Sequence, residues 1–138
     1  LFKKQFKVLQ VERNPKKRNA DFFIKYRGKL VALAELERKK VWTNYDFPSK
    51  WDSVSFPKRK GKYAESEVPV FIVMFNKDGT NGLIVDAKTM AKSPIVEKRA
   101  VTRKYVTFGE EFYHVPLNSV VFGMGKFEDY IMTKLGLK

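Results

Sequence analysis

The chain of 138 residues has no cysteine and a single histidine, His114. The first absence removes disulfides, thiolate nucleophiles and cysteine-based zinc sites together; the second removes a histidine-rich metal centre and any two-histidine mechanism. No apolar run approaches the roughly 18 residues of a membrane-spanning helix, and no signal-peptide pattern opens the chain. These absences lead to the expectation of an intracellular, cytoplasmic protein with no membrane partner. The chain begins with Leu1 rather than Met, so a segment upstream, a leading helix among it, is expected to have been removed. Acidic residues are scarce in one half only. Residues 1–63 hold 18 Lys and Arg against 6 Asp and Glu, a net of +12, whereas residues 64–138 hold 10 against 9, a net of +1. A localised positive field draws polyanions, which favours nucleic acid over a basic surface with no specific partner.

What is present is globular: 43% hydrophobic residues, with twelve Phe, six Tyr and two Trp. The length fits one domain, residues 1–138. Alternation over residues 5–12 predicts a strand, followed by a basic loop. Two strands then flank Arg27-Gly28, the second running from Lys29 to Lys39 with apolar residues on both faces, as in a central covered strand. Residues 40–54 read as a long aromatic loop. Pro57, with Ser55 as a cap, predicts a short helix, which Gly61 disfavours. Residues 69–75 and 82–86 form the clearest hairpin, around an Asn-Asp-Gly turn; a short helix precedes Pro94. A further hairpin turns at Phe108-Gly109-Glu110, and residues 127–135 close the chain as a helix. The whole reads as an α/β (α+β) domain with a mixed central sheet flanked by helices.

The stretch "ALAELERKK" attaches charge to the end of the central strand. Positions two apart on a strand share a face, so Val31, Leu33, Glu35, Glu37 and Lys39 form one row. Carboxylates and a lysine in such a row suit phosphodiester hydrolysis, which needs oxygen ligands for Mg²⁺, charge neutralisation on phosphate and a means of positioning water. Asp21, opening the preceding strand, joins this row if the hairpin is centred on Gly28 or contains a bulge, because Asp21 then lies opposite Glu35. A turn centred between Arg27 and Gly28 with no bulge sends it to the other face.

Ala20-Asp21, the apolar residues after it, a Gly-Lys turn, an apolar strand and Glu37-Arg38-Lys39 resemble the PD-(D/E)xK nuclease superfamily, and within it the motif of archaeal Holliday-junction resolvases, over residues 20–39. The resemblance implies a restriction endonuclease-like fold and Mg²⁺-dependent cleavage of DNA, with Mn²⁺ as an alternative ion. It implies Asp21 and Glu37 as metal ligands, with Glu35 as an alternative ligand, and Lys39 beside the attacking water and phosphate. Enzymes of this kind commonly act as homodimers. Ala20 stands where the family usually has proline, and the family's first helix is not visible before residue 5.

Lys16, Lys17, Arg18, Lys58, Arg59, Lys60 and Lys62, with Tyr63, are candidate phosphate contacts, and Trp51 is a candidate base contact. The plainer alternative is a solvated basic face and aromatics covering a core. His114 reads as a packed histidine and "NKDGTNG" as a turn without the acidic positions of a calcium loop. The rival to a nuclease is a non-catalytic nucleic-acid-binding domain or a structural, assembly protein on the same fold.

Overall fold

The computed structural model describes residues 2–16, 20–101 and 106–137. Among these the strands are β1 (Gln10–Arg13), β2 (Phe22–Tyr26), β3 (Lys29–Arg38), β4 (Ser53–Pro57), β5 (Val70–Phe75), β6 (Gly82–Asp86), β7 (Ile95–Val101), β8 (Val106–Pro116) and β9 (Val121–Phe122). The α-helices are α1 (Ala87–Ala91) and α2 (Phe127–Leu135). A 3₁₀ helix covers Lys58–Glu65.

Arg27 and Gly28 take left-handed backbone, with φ of 51° and 79°. Such a two-residue turn matches the twist of the strands it joins. Tyr26 pairs with Lys29 and Lys25 with Leu30, after which the register shifts, so that Ile24 faces Ala32 and Phe22 faces Ala34. Val31 is therefore the extra residue of a β-bulge. The six-stranded sheet runs β1-β2-β3-β5-β6-β9 and is mixed: β3 and β5 are parallel, and the other neighbours antiparallel. A second sheet has the order β4-β8-β7.

Every residue of β5 is buried, and alternate side chains enter two cores. On one face Phe71 and Val73 pack with Ile24, Ala32 and Ala34 of the sheet and with Phe127 and Ile131 of α2. On the other, Ile72 and Met74 pack with Val54, Phe56 and Val115 of the second sheet, with Trp42 and Met90. Removing these side chains from water is the main source of stability.

The structure is a single small α+β domain with a mixed sheet, as the sequence predicts at that level. Helix α2 covers one face of the six-stranded sheet, while the second sheet, α1 and the 3₁₀ helix cover the other, so helices flank both faces and share one of them with the second sheet. The strand expected from residue 5 begins only at Gln10. Its leading residues are diverted because Lys7, Val8 and Leu9 all donate backbone N–H bonds to Oε2 of Glu128, at 3.0, 2.9 and 2.9 Å. Three successive donors aimed at one oxygen cannot alternate sides as strand donors do. Ser55 belongs to β4 and caps no helix. Val101 pairs with Val106, so Phe108-Gly109-Glu110 lies within β8 and makes no turn. Among the described residues no helix is long and apolar enough to cross a membrane.

Asp86 ties α1 to α2. It caps α1 by accepting bonds from Thr89 N and Oγ1, at 3.0 and 2.6 Å, and accepts another from the Tyr130 hydroxyl at 3.1 Å. Burial pushes its carboxyl up, but those bonds and the Lys134 ammonium more than offset this, and it sits below its ordinary 3.8. A depressed carboxylate adds stability above its unfolded-state value and loses it as pH falls through the folded one. Asp86→Asn is expected to cost about 1 kcal/mol at neutral pH, because the bonds from Thr89 and Tyr130 lose their charged acceptor, with the gap to wild type narrowing as pH drops below 3.8. Urea unfolding across that range measures it; a gap that stays constant into acid would count against the interaction.

Candidate functional site

The alternation of β3 splits its residues between the two cores. Ala32, Ala34 and Leu36 enter the core under α2, while Leu33 faces the second sheet. Glu35, Glu37 and Lys39 continue the Leu33 row. The Val31 bulge sets the other half of the site, because the register it creates carries Asp21 to the position beside Glu35. The Asp21 carboxyl lies within hydrogen-bond reach of Glu35, and its Oδ2 accepts the Leu36 N–H at 2.8 Å.

The 3₁₀ helix supplies the cover. Lys60 Nζ lies 2.5 Å from Oε2 of Glu35 and 3.2 Å from Oε2 of Glu37, and the Tyr63 hydroxyl donates to the same Glu35 oxygen at 3.1 Å. Side-chain exposure is 12% for Lys60, 10% for Glu35 and 23% for Glu37. The cluster is thus inside the protein at one end and half open at the other. Burial pushes the Glu35 carboxyl up, with the neighbouring Asp21 acting in the same direction and Lys60 against it. Burial lowers the Lys60 ammonium, but its bonds to Glu35 and Glu37 outweigh this and hold it above its ordinary value. Burial and Glu35 push the Tyr63 hydroxyl up, which keeps it a neutral donor.

Lys39 follows Glu37 in the row. Its ammonium donates to the Ser55 carbonyl oxygen at 3.5 Å and stands over the Trp51 ring, 5.9 Å from the centroid. Together with Lys50, Ser53, Ser55 and His114, these residues line a cleft of about 310 Å³. His114 shares hydrogen bonds with Ser53 Oγ (Nδ1, 3.4 Å) and Ser55 Oγ (Nε2, 3.5 Å). At the other end of the row, Leu33 joins Lys16, Phe23, Lys62 and Tyr63 in a groove of about 400 Å³. The carboxylates stand between the two depressions.

The remaining candidates are dispersed. Lys58 pairs with Glu111 at 3.3 Å, and Lys62 stands over the Tyr63 ring. Arg59 is exposed. Lys17 and Arg18 lie outside the described residues. Trp42 is fully buried, its indole N–H donating to the Asp46 carbonyl oxygen at 2.9 Å, and it meets Phe47 and Phe122, so much of the aromatic loop is core. The "NKDGTNG" segment is a turn organised by the buried Asn76 and Asn81, which also hold the carbonyl oxygens of Asn44 and Tyr45.

All-carboxylate donors suit a hard cation such as Mg²⁺. Among the described residues, however, no three acidic or histidine side chains converge as a ready metal site. Between Glu35 and Glu37 the ammonium of Lys60 is the cation present. A scan of protein-family models gives no match to this chain, and a search of curated proteins gives none.

Glu35 generates a pH-dependent prediction. Its folded value is raised, so its contribution is complete below 4.5 and is lost as pH climbs through the folded value. Glu35→Gln, which mimics the protonated form, is expected to lose less stability than wild type as pH rises above that value. Parallel urea-midpoint curves for the two proteins would reject this account of the cluster.

Proposed function

We propose that the protein hydrolyses phosphodiester bonds in DNA, using Mg²⁺ or Mn²⁺, at the cluster of Asp21, Glu35 and Glu37. One observation carries this reading: the Val31 bulge sets Asp21 beside Glu35 and against the row that holds Glu37. Two carboxylates held together and partly buried destabilise the fold unless they do something in return, and bulges cluster at sites where a side chain must be aimed. The resemblance of Ala20-Asp21 and Glu37-Arg38-Lys39 to the PD-(D/E)xK pattern supports the same reaction class, and the basic half of the chain supports a polyanionic substrate.

In such a hydrolysis a water oxygen bonds to phosphorus as one ester bond breaks. The water proton ends on the departing oxygen, leaving a terminal phosphate and a free hydroxyl. A divalent ion, when bound, neutralises phosphate charge and polarises the water. The chain itself offers carboxylate oxygens, the neutral Tyr63 donor, and lysines in the depressions on either side to hold the strand. A second reading, a nucleic-acid-binding domain without catalysis, is favoured by the Lys60 ammonium seated between Glu35 and Glu37.

Incubation with labelled single-stranded, duplex and branched DNA separates the two. Cleavage is expected in Mg²⁺ or Mn²⁺ and none in EDTA, with Asp21→Asn and Glu37→Gln each slowing it about 100-fold, the scale on which metal-site groups act. Salt-sensitive binding with no cleavage of any substrate would transfer the assignment to the second reading.

A further inference from the structure

We infer that the cleft beside β4 binds a phosphate monoester by its terminal phosphate group, through Lys50, Ser53, Ser55 and His114. The inference does not rest on the nuclease reading and needs no metal ion. β4 is the outer strand of the order β4-β8-β7. Val54, Phe56, Tyr113 and Val115 enter the core, so the alternate residues Ser53, Ser55 and His114 share the opposite face of the second sheet. Ser55 stands directly across from His114. The imidazole is held between two hydroxyls, with Ser53 Oγ 3.4 Å from Nδ1 and Ser55 Oγ 3.5 Å from Nε2. Its backbone is fixed as well, because His114 N donates to the Pro94 carbonyl oxygen at 2.8 Å.

Around these hydroxyls the cleft, of about 310 Å³, is lined by Lys39, Lys50 and Trp51, with Asp52 the acidic member. The Trp51 ring is braced edge-on by Phe47, with centroids 5.4 Å apart, and carries the Lys39 ammonium over it. An apolar wall beside ammonium groups keeps water away and strengthens their contacts with an anion. Two lysines against one aspartate leave the lining positive, and the hydroxyls and imidazole add short-range donors. A carboxylate has two oxygens to offer such a set, a terminal phosphate three. The ring also makes the site responsive to pH. A neutral imidazole donates from one nitrogen and accepts at the other, so one hydroxyl spends its hydrogen on the ring; the protonated ring donates from both and releases that hydrogen. On the face of His114, β4 offers Ser53, Ser55 and Pro57, and the β7 side Pro94 and Val96, none of which titrates. The charged side chains at the cleft are Lys39, Lys50 and Asp52. Protonation of His114 therefore adds a positive charge and a hydroxyl donor together.

The test is calorimetric titration in EDTA with inorganic phosphate, sulfate, and a single-stranded oligonucleotide with and without a 5′-phosphate. It compares wild type, Lys50→Met, Ser53→Ala and His114→Gln with Lys4→Met, a control whose neighbours Phe2 and Phe6 pack on the α2 side of the sheet. Melting curves check folding, and Lys50 is exposed, so its variant is expected to fold. Wild type is expected to bind phosphate saturably. Lys50→Met and Ser53→Ala should each weaken this about tenfold, the scale of one hydrogen bond to a charged group, and Lys4→Met should leave it unchanged. Sulfate, whose own charge is constant across the range, is expected to bind wild type more tightly at about pH 5.5 than at about pH 8, and His114→Gln to remove that difference. A gain of about tenfold or more on adding the 5′-phosphate, again on the scale of a charged hydrogen bond, supports the site with a strand end as the source of the group. Equal affinity for the two oligonucleotides, with phosphate still bound, supports it with a small phosphate ester as the source. No saturable binding of phosphate, or equal weakening in Lys50→Met and Lys4→Met, overturns the site and leaves the nuclease reading untouched. A pH dependence of sulfate binding that survives in His114→Gln overturns the part assigned to the histidine.

Discussion

The parallel pairing of β3 with β5 is the constraint from which the site follows. In an otherwise antiparallel sheet, two parallel neighbours require the chain to leave the sheet after the first and return to the same end for the second. Both ends of that excursion are pinned: Leu33 N donates to the Pro69 carbonyl oxygen and Lys39 N to that of Phe75, each at 2.8 Å. Between them the chain supplies the aromatic loop, β4 and the 3₁₀ helix, and they cover the face of β3 that carries Glu35 and Glu37. The connection required by topology is also the lid on the polar row.

A covered carboxylate must find partners, and the crossover provides them in a short space. Glu35 receives Lys60 and Tyr63 from the 3₁₀ helix, and Asp21 approaches from β2's leading end. Glu37, one pleat nearer the open end, is more exposed and shares the same ammonium. Replacing such a cluster by apolar side chains commonly costs nothing and can stabilise a fold. The ammonium that Lys60 lends to both Glu35 and Glu37 is therefore not explained by stability alone.

Much of this architecture was legible. The hairpin of β5 and β6 announced itself by an unbroken apolar run and an Asn-Asp-Gly turn, and α2 by the spacing of Phe127, Tyr130, Ile131 and Leu135. The opposition of Asp21 and Glu35 was legible as a condition on register. The structure meets that condition by a two-residue turn followed by a bulge at Val31, which no local residue preference announces. Lys60 was not legible as special, since within Lys58–Lys62 it looks like any solvated basic residue. Only the crossover turns it inward while its neighbours stay outside. The cleft around His114 was hidden for a similar reason: β4 and β8 pair across a long stretch of sequence, and that pairing brings Ser53 and Ser55 to the histidine. The departure of residues 7–9 from strand geometry depends on Glu128, more than a hundred positions away.

The first half's charge acquires a different meaning once its partners are known. Lys25 is matched by Glu12, Lys58 by Glu111 and Lys60 by the two glutamates of β3. The formal excess therefore overstates the field at those positions, whereas Lys16 and Lys62 line the depression at one end of the row and Lys39 and Lys50 the one at the other. From Leu33 to Lys39 an extended strand advances roughly 20 Å at about 3.3 Å per residue. The row on β3 thus has lysine-lined depressions at both ends and carboxylates between them, an order that a count of charges along the chain does not reveal, because it is made by the crossover and the pairing of β4 with β8.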